Sequence, residues 1–300
     1  MRDYHCPKCG SPNLRTTANC THCGRTLSLD EGANDKTGKG VGYGHIWTYI
    51  FVLAIASFSL IALMIGDFIP VTKDVFSKLA SVLAAIGIPI TISAAIAQYW
   101  APRGISIKTF LFVFLSGGSL GIIASLILYI VVPTVALGFG VLLVLPIIVG
   151  AAEELGKMSS LTWLVKRQKY TSEAIGFSFG IVAGLGFAAL ENTGYILIAY
   201  HKGGLALMAN TFMARILTTA VHAIWTGSLA AIIWRERRVS VQLTKPVLNI
   251  FLIVVILHAF WDFALLPSVS KPQGITFMVL SGICSIVLLI VRLRSIDTTA

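Results

Sequence analysis

Glu153, Glu154 and Lys157 stand within an apolar stretch, Val141 to Val165, that is long enough to cross a lipid bilayer. An ionised side chain near the bilayer centre costs about 3 kcal/mol on insertion scales, so an acidic pair there demands a polar cavity and partners. Helical spacing supplies one partner. Lys157 is four residues from Glu153 and three from Glu154, so all three project into one sector, and the lysine can neutralise one carboxylate while leaving the other as a base. Glu191, Arg215, His222, His258 and Asp262 lie in further apolar stretches. Arg215 and His222 are seven apart and share a helix face, with Arg215 suited to act as a counter-ion because guanidinium stays charged. His258 and Asp262 are four apart, the spacing at which a carboxylate orients an imidazole or both ligate one ion.

These residue types suit hydrolysis. A carboxylate in a wet, low-dielectric cavity can take a proton from water and later return it to a leaving amine, while imidazoles opposite it stabilise an oxyanion. Alternatively, His222, His258 and a carboxylate hold a catalytic divalent metal that activates the water. No H-E-x-x-H occurs, but ligands on different helices need none, so the sequence leaves both mechanisms open. A serine mechanism is less attractive, since no G-x-S-x-G elbow is present. Intramembrane acids and histidines also serve proton- or ion-coupled transporters, which makes a carrier with a mid-membrane Glu/His site the alternative class.

Positioning such residues requires a bundle of membrane helices. With 56% hydrophobic and 12% charged residues among 300, and a mean hydropathy of +0.84, the composition predicts an all-α polytopic membrane protein. Eight apolar windows are expected to span: Ile46 to Ile65, Leu79 to Tyr99, Phe110 to Val132, Val141 to Val165, Ala174 to Tyr200, Leu205 to Trp234, Val247 to Leu266 and Ile275 to Val291. In the fifth, Gly176, Gly180 and Gly184 recur every fourth residue and open a groove for a neighbouring helix; Glu191 lies over the same groove, between Phe187 and Tyr195.

The net charge of +10 follows the membrane rather than a nucleic acid, so no nucleic-acid partner is expected. Lys36 and Lys39, Arg103 and Lys108, Lys166 and Arg167, Arg235 and Arg237, and Arg292 and Arg294 flank alternate span ends. The positive-inside rule then places both termini in the cytoplasm of a protein integral to the cell (plasma) membrane, with the lipid bilayer as its surroundings.

Ahead of the spans, Cys6-Pro-Lys-Cys9 and Cys20-Thr-His-Cys23 form two C-x-x-C knuckles ten residues apart, each followed by glycine. Four thiolates at this spacing predict a zinc ribbon in which Cys6, Cys9, Cys20 and Cys23 hold a structural zinc. A disulfide framework conflicts with cytoplasmic placement. Such a ribbon can serve as a small folded cap or as a docking point for a protein partner. Residues 26–45, rich in glycine and polar side chains, read as a flexible linker.

E-E-L-G-K at Glu153 to Lys157, F-A-A-L-E-N-T-G-Y at Phe187 to Tyr195, H-A-I-W-T-G at His222 to Gly227 and H-A-F-W-D at His258 to Asp262 occur in order on successive spans. Together they resemble the motifs of the PrsW family of intramembrane proteases, related to the group of prenyl-protein (CAAX) and bacteriocin-processing endopeptidases. The resemblance covers roughly Ile105 to Arg294. It implies hydrolysis of peptide bonds in membrane-protein substrates, within or at the edge of the bilayer. It further implies that Glu153 and Glu154 supply the catalytic carboxylate and that Glu191, His222, His258 and Asp262 complete the site; the charges of Lys157 and Arg215, read from residue type and spacing, are expected to support it. The expected organisation is a ribbon at 1–25, a linker at 26–45, two N-terminal transmembrane helices at 46–100 and a six-helix protease core at 101–295.

Overall fold

A computed structural model of the chain describes residues 4–5, 12–13, 19–23, 73–131, 139–167, 169–237, 243–266 and 269–297. The chain divides into two compact units, Met1–Phe51 and Val52–Ala300. In the first, β1 (Tyr4–His5) and β2 (Pro12–Asn13) pair antiparallel, Tyr4 opposite Asn13 and His5 opposite Pro12. Cys20 is buried and Cys23 half-buried, whereas Cys6 and Cys9 lie outside the described residues. The expected span Ile46 to Ile65 also lies outside them.

The described part of the second unit is helical: α1 (Lys73–Trp100), α2 (Ile107–Val131), α3 (Phe139–Ser159), a single turn α4 (Thr162–Val165), α5 (Glu173–Glu236), α6 (Lys245–Phe263) and α7 (Lys271–Asp297). Among the described residues, four helices are long and apolar enough to cross a membrane: Ile107–Val131, Glu173–Glu236, Lys245–Phe263 and Lys271–Ile296. The ends follow local chemistry. Ser172 caps α5 by accepting from Ile175 N at 3.2 Å. Gln273 Oε1 accepts from both N and Oγ of Ser270 and fixes the entry to α7.

The 64-residue α5 is a hairpin of two limbs. Gly203 and Gly204 leave helical geometry, and Gly204, at φ +63° and ψ −155°, occupies a region open only to glycine. Beyond them the chain runs back along itself, so that Gly176 faces Trp234, Gly180 faces Thr226 and Gly184 faces His222. The repeated glycines thus serve the close approach of one limb to the other, and a methyl group at any of the three would collide with backbone or a buried indole.

The stretch expected to continue to Val165 ends earlier. α3 stops at Ser159, and the chain turns at Ser160 and Leu161 before α4. Leu161 and Leu164 are buried in a cluster with Phe110, Phe179 and Trp234, so their apolarity serves a packed corner rather than a longer span. Trp234 Nε1 donates to Tyr170 O at 2.9 Å, and Arg237 donates to the carbonyls of Val165 and Tyr170, tying this corner to the end of α5. A second cluster packs Trp225, Leu229 and Ile232 of α5 against Val254, Leu257 and Trp261 of α6. The polar site lies beside these apolar contacts.

Candidate active site

The site draws its side chains from three helices, one of them the two-limbed α5. α3 carries Glu153, Glu154 and Lys157; the first limb of α5 carries Glu191; the second carries Arg215 and His222; α6 carries His258 and Asp262. Gly150 permits α3 to approach α6, since a Cβ there would stand 3.0 Å from His258 Cβ. Gly121 of α2 and Gly156 of α3 play the same part on the other side, Cβ of the latter falling 2.9 Å from Gly121 Cα.

Lys157 organises the acids. Fully buried, its Nζ donates to Glu154 Oε1 at 2.7 Å, approaches His222 Nδ1 at 3.1 Å, lies 3.8 Å from Glu153 Oε2 and sits 3.8 Å over the Phe187 ring. The ammonium thereby gains the carboxylate and π-face partners that its burial demands. Because it can only donate, His222 Nδ1 accepts in this arrangement, and Nε2 carries the hydrogen that is donated to Glu191 Oε2 at 3.0 Å. Glu191 is held in turn by Arg215 Nη2. Arg215 Nε donates to Asn192 Oδ1 at 2.7 Å, Asn192 Nδ2 donates to Thr219 Oγ1 at 2.9 Å, and the Tyr195 ring lies 4.4 Å from the guanidinium carbon.

The two adjacent glutamates differ. Glu154 is saturated: Oε1 takes Lys157 and Oε2 takes Thr226 Oγ1 at 2.9 Å. Glu153 Oε1 accepts from Ser125 Oγ at 3.0 Å, but its Oε2 is buried without a hydrogen-bond partner. That oxygen lies 3.2 Å from His258 Nε2. His258 Nδ1, 3.5 Å from Glu154 Oε1, is likewise buried and unpartnered. Asp262 Oδ2 stands 3.8 Å from His258 Nε2, outside hydrogen-bond range, and is the most open acid of the group, its side chain 24% exposed.

The eight residues singled out in the helical unit are thus brought together, Asp262 at the margin. Trp225 closes the far side, tilted against His258 with ring centroids 4.8 Å apart and edge-on to His222 at 5.4 Å. Ser125, Asn192, Thr219 and Thr226 also touch the site, although none of them is among the expected site residues; Asn192 and Thr226 lie within the quoted motifs. Thr226 and Asn192 had a signal, lying four residues after His222 and next to Glu191; Ser125 had none.

A family model for PrsW family intramembrane metalloproteases matches residues 102–292, from the turn before α2 into α7. The chain belongs to the PrsW family. No curated protein and no solved structure matches it. As a PrsW protein it is an integral membrane protease, and the buried Glu/His cluster is compatible with that activity.

The family description implies a metal, and the donors fit one. Ligand atoms of Glu153, His222 and His258 all lie within 4.8 Å of one another, all three residues are buried, and one carboxylate with two imidazoles is a donor set of catalytic zinc. The buried Glu153 Oε2, without a hydrogen bond, offers a lone pair to a cation, and His258 can offer one from whichever ring nitrogen carries no hydrogen. Ligation through His222 would require it to give up one of its present contacts, with Lys157 or with Glu191.

Proposed function

We propose that this PrsW protein hydrolyses peptide bonds of membrane-associated proteins within or at the edge of the bilayer, with Glu153 as the group that activates water. The observation that carries the assignment is the contrast between neighbours. Glu154 has both oxygens engaged, whereas Glu153 has one anchored by Ser125 and one free beside His258. Only a carboxylate with an unshared oxygen can accept a proton without first breaking a buried hydrogen bond.

In this reading, Glu153 Oε2 takes a proton from water as the water oxygen attacks the scissile carbonyl carbon. His258 holds that oxygen in place, and His222 Nε2–H, which serves Glu191 in the resting site, would turn to donate to the developing oxyanion while Lys157 keeps hold of Nδ1. Glu153 then delivers its proton to the leaving amine. Glu154, Lys157 and Arg215 stay charged and orient the others. Asp262 restrains His258 from the open side. Where a divalent ion is bound, Glu153, His222 and His258 would hold it, and it would supply Lewis-acid polarisation of the water and the carbonyl.

The remaining organisation is proposed with it: eight crossings including Ile46 to Ile65, both termini cytoplasmic in the plasma membrane, and a ribbon holding structural zinc through Cys6, Cys9, Cys20 and Cys23, with a protein partner for that ribbon. The lysine and arginine distribution supports the orientation, and the C-x-x-C pairs support the zinc.

The test is cleavage of single-span membrane proteins by the purified chain in liposomes, with metal per chain measured in parallel. Shortened products are expected. Loss of one metal equivalent together with activity in His258→Ala would assign the metal-dependent form; undiminished metal content with lost activity would assign glutamate and histidine chemistry alone. Solute counterflow without any cleavage would replace the protease reading with the transporter.

A further inference from the structure

α7 carries none of the four motifs, yet it is tied to both histidine-bearing helices at the level of the site. Its outward face is apolar and exposed at Val279, Ile283, Ile286 and Val287, as expected of a lipid-facing helix. Ser281 and Ser285, four residues apart and therefore on one face, are instead fully buried. Ser281 Oγ donates to Leu257 O at 2.8 Å, the carbonyl next to His258 in the chain. Ser285 Oγ donates to Ser281 O at 2.7 Å and accepts from Trp225 Nε1 at 2.8 Å.

Trp225 packs against both histidines. It lies three residues beyond His222 on the same limb, is completely buried, and makes ring contacts with both imidazoles, whose own centroids are 5.1 Å apart. No direct hydrogen bond joins His222 to His258 among the described contacts, so their mutual placement depends on the rings and helices that pack against them. An indole N–H in an apolar interior must find an acceptor, and the one it has is Ser285.

We infer that Ser281 and Ser285 of α7 are positioning residues that set the His222–His258 geometry, Ser285 by fixing the Trp225 ring against both imidazoles and Ser281 by fixing α7 to the helix that bears His258. The inference rests on the protease reading only for its kinetic arm. Its spectroscopic arm reads the same geometry without catalysis.

The experiment uses the full chain in liposomes with a single-span substrate, and compares Ser285→Ala, Ser285→Thr and Ser281→Ala with Ser116→Ala. Ser116 bonds only Phe112 O on the exposed face of α2, and serves as a control for losing a membrane-helix hydroxyl. Ser285→Ala is expected to lower kcat about tenfold with KM within about twofold, because binding is untouched while the imidazoles lose their register. Ser285→Thr, which keeps the hydroxyl, should recover most of the rate. In parallel, the Trp225 fluorescence component, obtained by difference from Trp225→Phe, should shift to the blue in Ser285→Ala and not in Ser285→Thr or Ser116→Ala. Ser281→Ala should lower kcat by a smaller factor.

A Trp225 component unmoved by Ser285→Ala overturns the inference whether or not the parent cleaves substrate. So does a kcat within twofold of the parent, or an equal loss in the threonine variant. If Ser285→Ala does not fold, Ser281→Ala decides: unchanged kcat and unchanged Trp225 emission there overturn the proposal. A parent that cleaves nothing, with the expected fluorescence shifts intact, defeats the protease reading and leaves the positioning inference standing.

Discussion

Two buried clusters of charge occupy the helical unit, and they are built differently. In one, Glu154 and Lys157 meet at 2.7 Å with Thr226 and His222 completing their shells, and the unpartnered atoms are confined to Glu153 Oε2 and His258 Nδ1. In the other, Glu173 at the start of α5 faces Arg292 near the end of α7 at 3.8 Å, and both carboxylate oxygens of Glu173 and the Nε and Nη1 atoms of Arg292 lack hydrogen bonds. Glu173 is buried and Arg292 half-buried, and only the first cluster has several groups converging on specific free atoms. The second is a paired charge between helix ends, with no histidine among its partners. Burial of charge alone therefore does not separate the two clusters; a saturated frame around an unsaturated oxygen does.

The comparison breaks first at the adjacent glutamates. Glu153→Gln keeps the side-chain shape and the Ser125 contact but removes the free base, so turnover should fall by about a thousandfold or more with folding preserved. Glu154→Gln removes a negative charge that neutralises Lys157, so its larger effect should be on stability, with residual turnover above that of Glu153→Gln. Single-turnover cleavage and thermal unfolding of both variants check this. Equal and complete loss of turnover in both, at parental stability, would erase the distinction; parental rates in both would remove the site altogether.

Next in size is Lys157→Met. The methionine matches the lysine stem but strands Glu154 in the interior and frees His222 Nδ1, so destabilisation of about 3–5 kcal/mol is expected, as for removing one partner of a buried pair. Denaturant unfolding in detergent gives the value. A cost under about 1 kcal/mol, the level of an ordinary surface pair, would mean that the frame is far wetter than its geometry implies.

What was legible in the sequence follows from the same energetics. Glu153, Glu154, Glu191, His222 and His258 stood out because ionisable groups are rare in apolar spans, and the hairpin was legible as the break around Gly203 and Gly204. Ser125, Ser281 and Ser285 were not. A hydroxyl in a membrane helix satisfies itself on the carbonyl one turn back, as Ser116, Thr193 and Thr211 do at 2.6–2.8 Å, so nothing local separates these from the few that reach across to another helix. The early end of α3 was hidden for a different reason. Leu161 and Leu164 are as apolar as a span requires, but they face Phe179 and Trp234 rather than lipid. The Glu173–Arg292 pair was invisible because each residue already had a sufficient local explanation, an acid at a helix start and a basic flank.

That pair provides the smallest expected effect and the sharpest control. Glu173→Gln and Arg292→Gln each leave one buried charge facing a neutral amide, so each single variant should lose about 1–3 kcal/mol of stability. The double variant replaces an imperfectly closed ion pair by two neutral amides able to hydrogen-bond each other, and should recover most of that loss. Turnover per folded molecule should stay within about twofold in all three, because neither residue touches the Glu153–His258 cluster. A double-mutant cycle on unfolding, with cleavage measured at matched folded protein, reads both quantities at once. Recovery with unchanged turnover would establish the pair as structural. A large loss of turnover at parental stability would instead mean that α7 transmits the state of its charged end to the histidines, and the two clusters would then have to be treated as one.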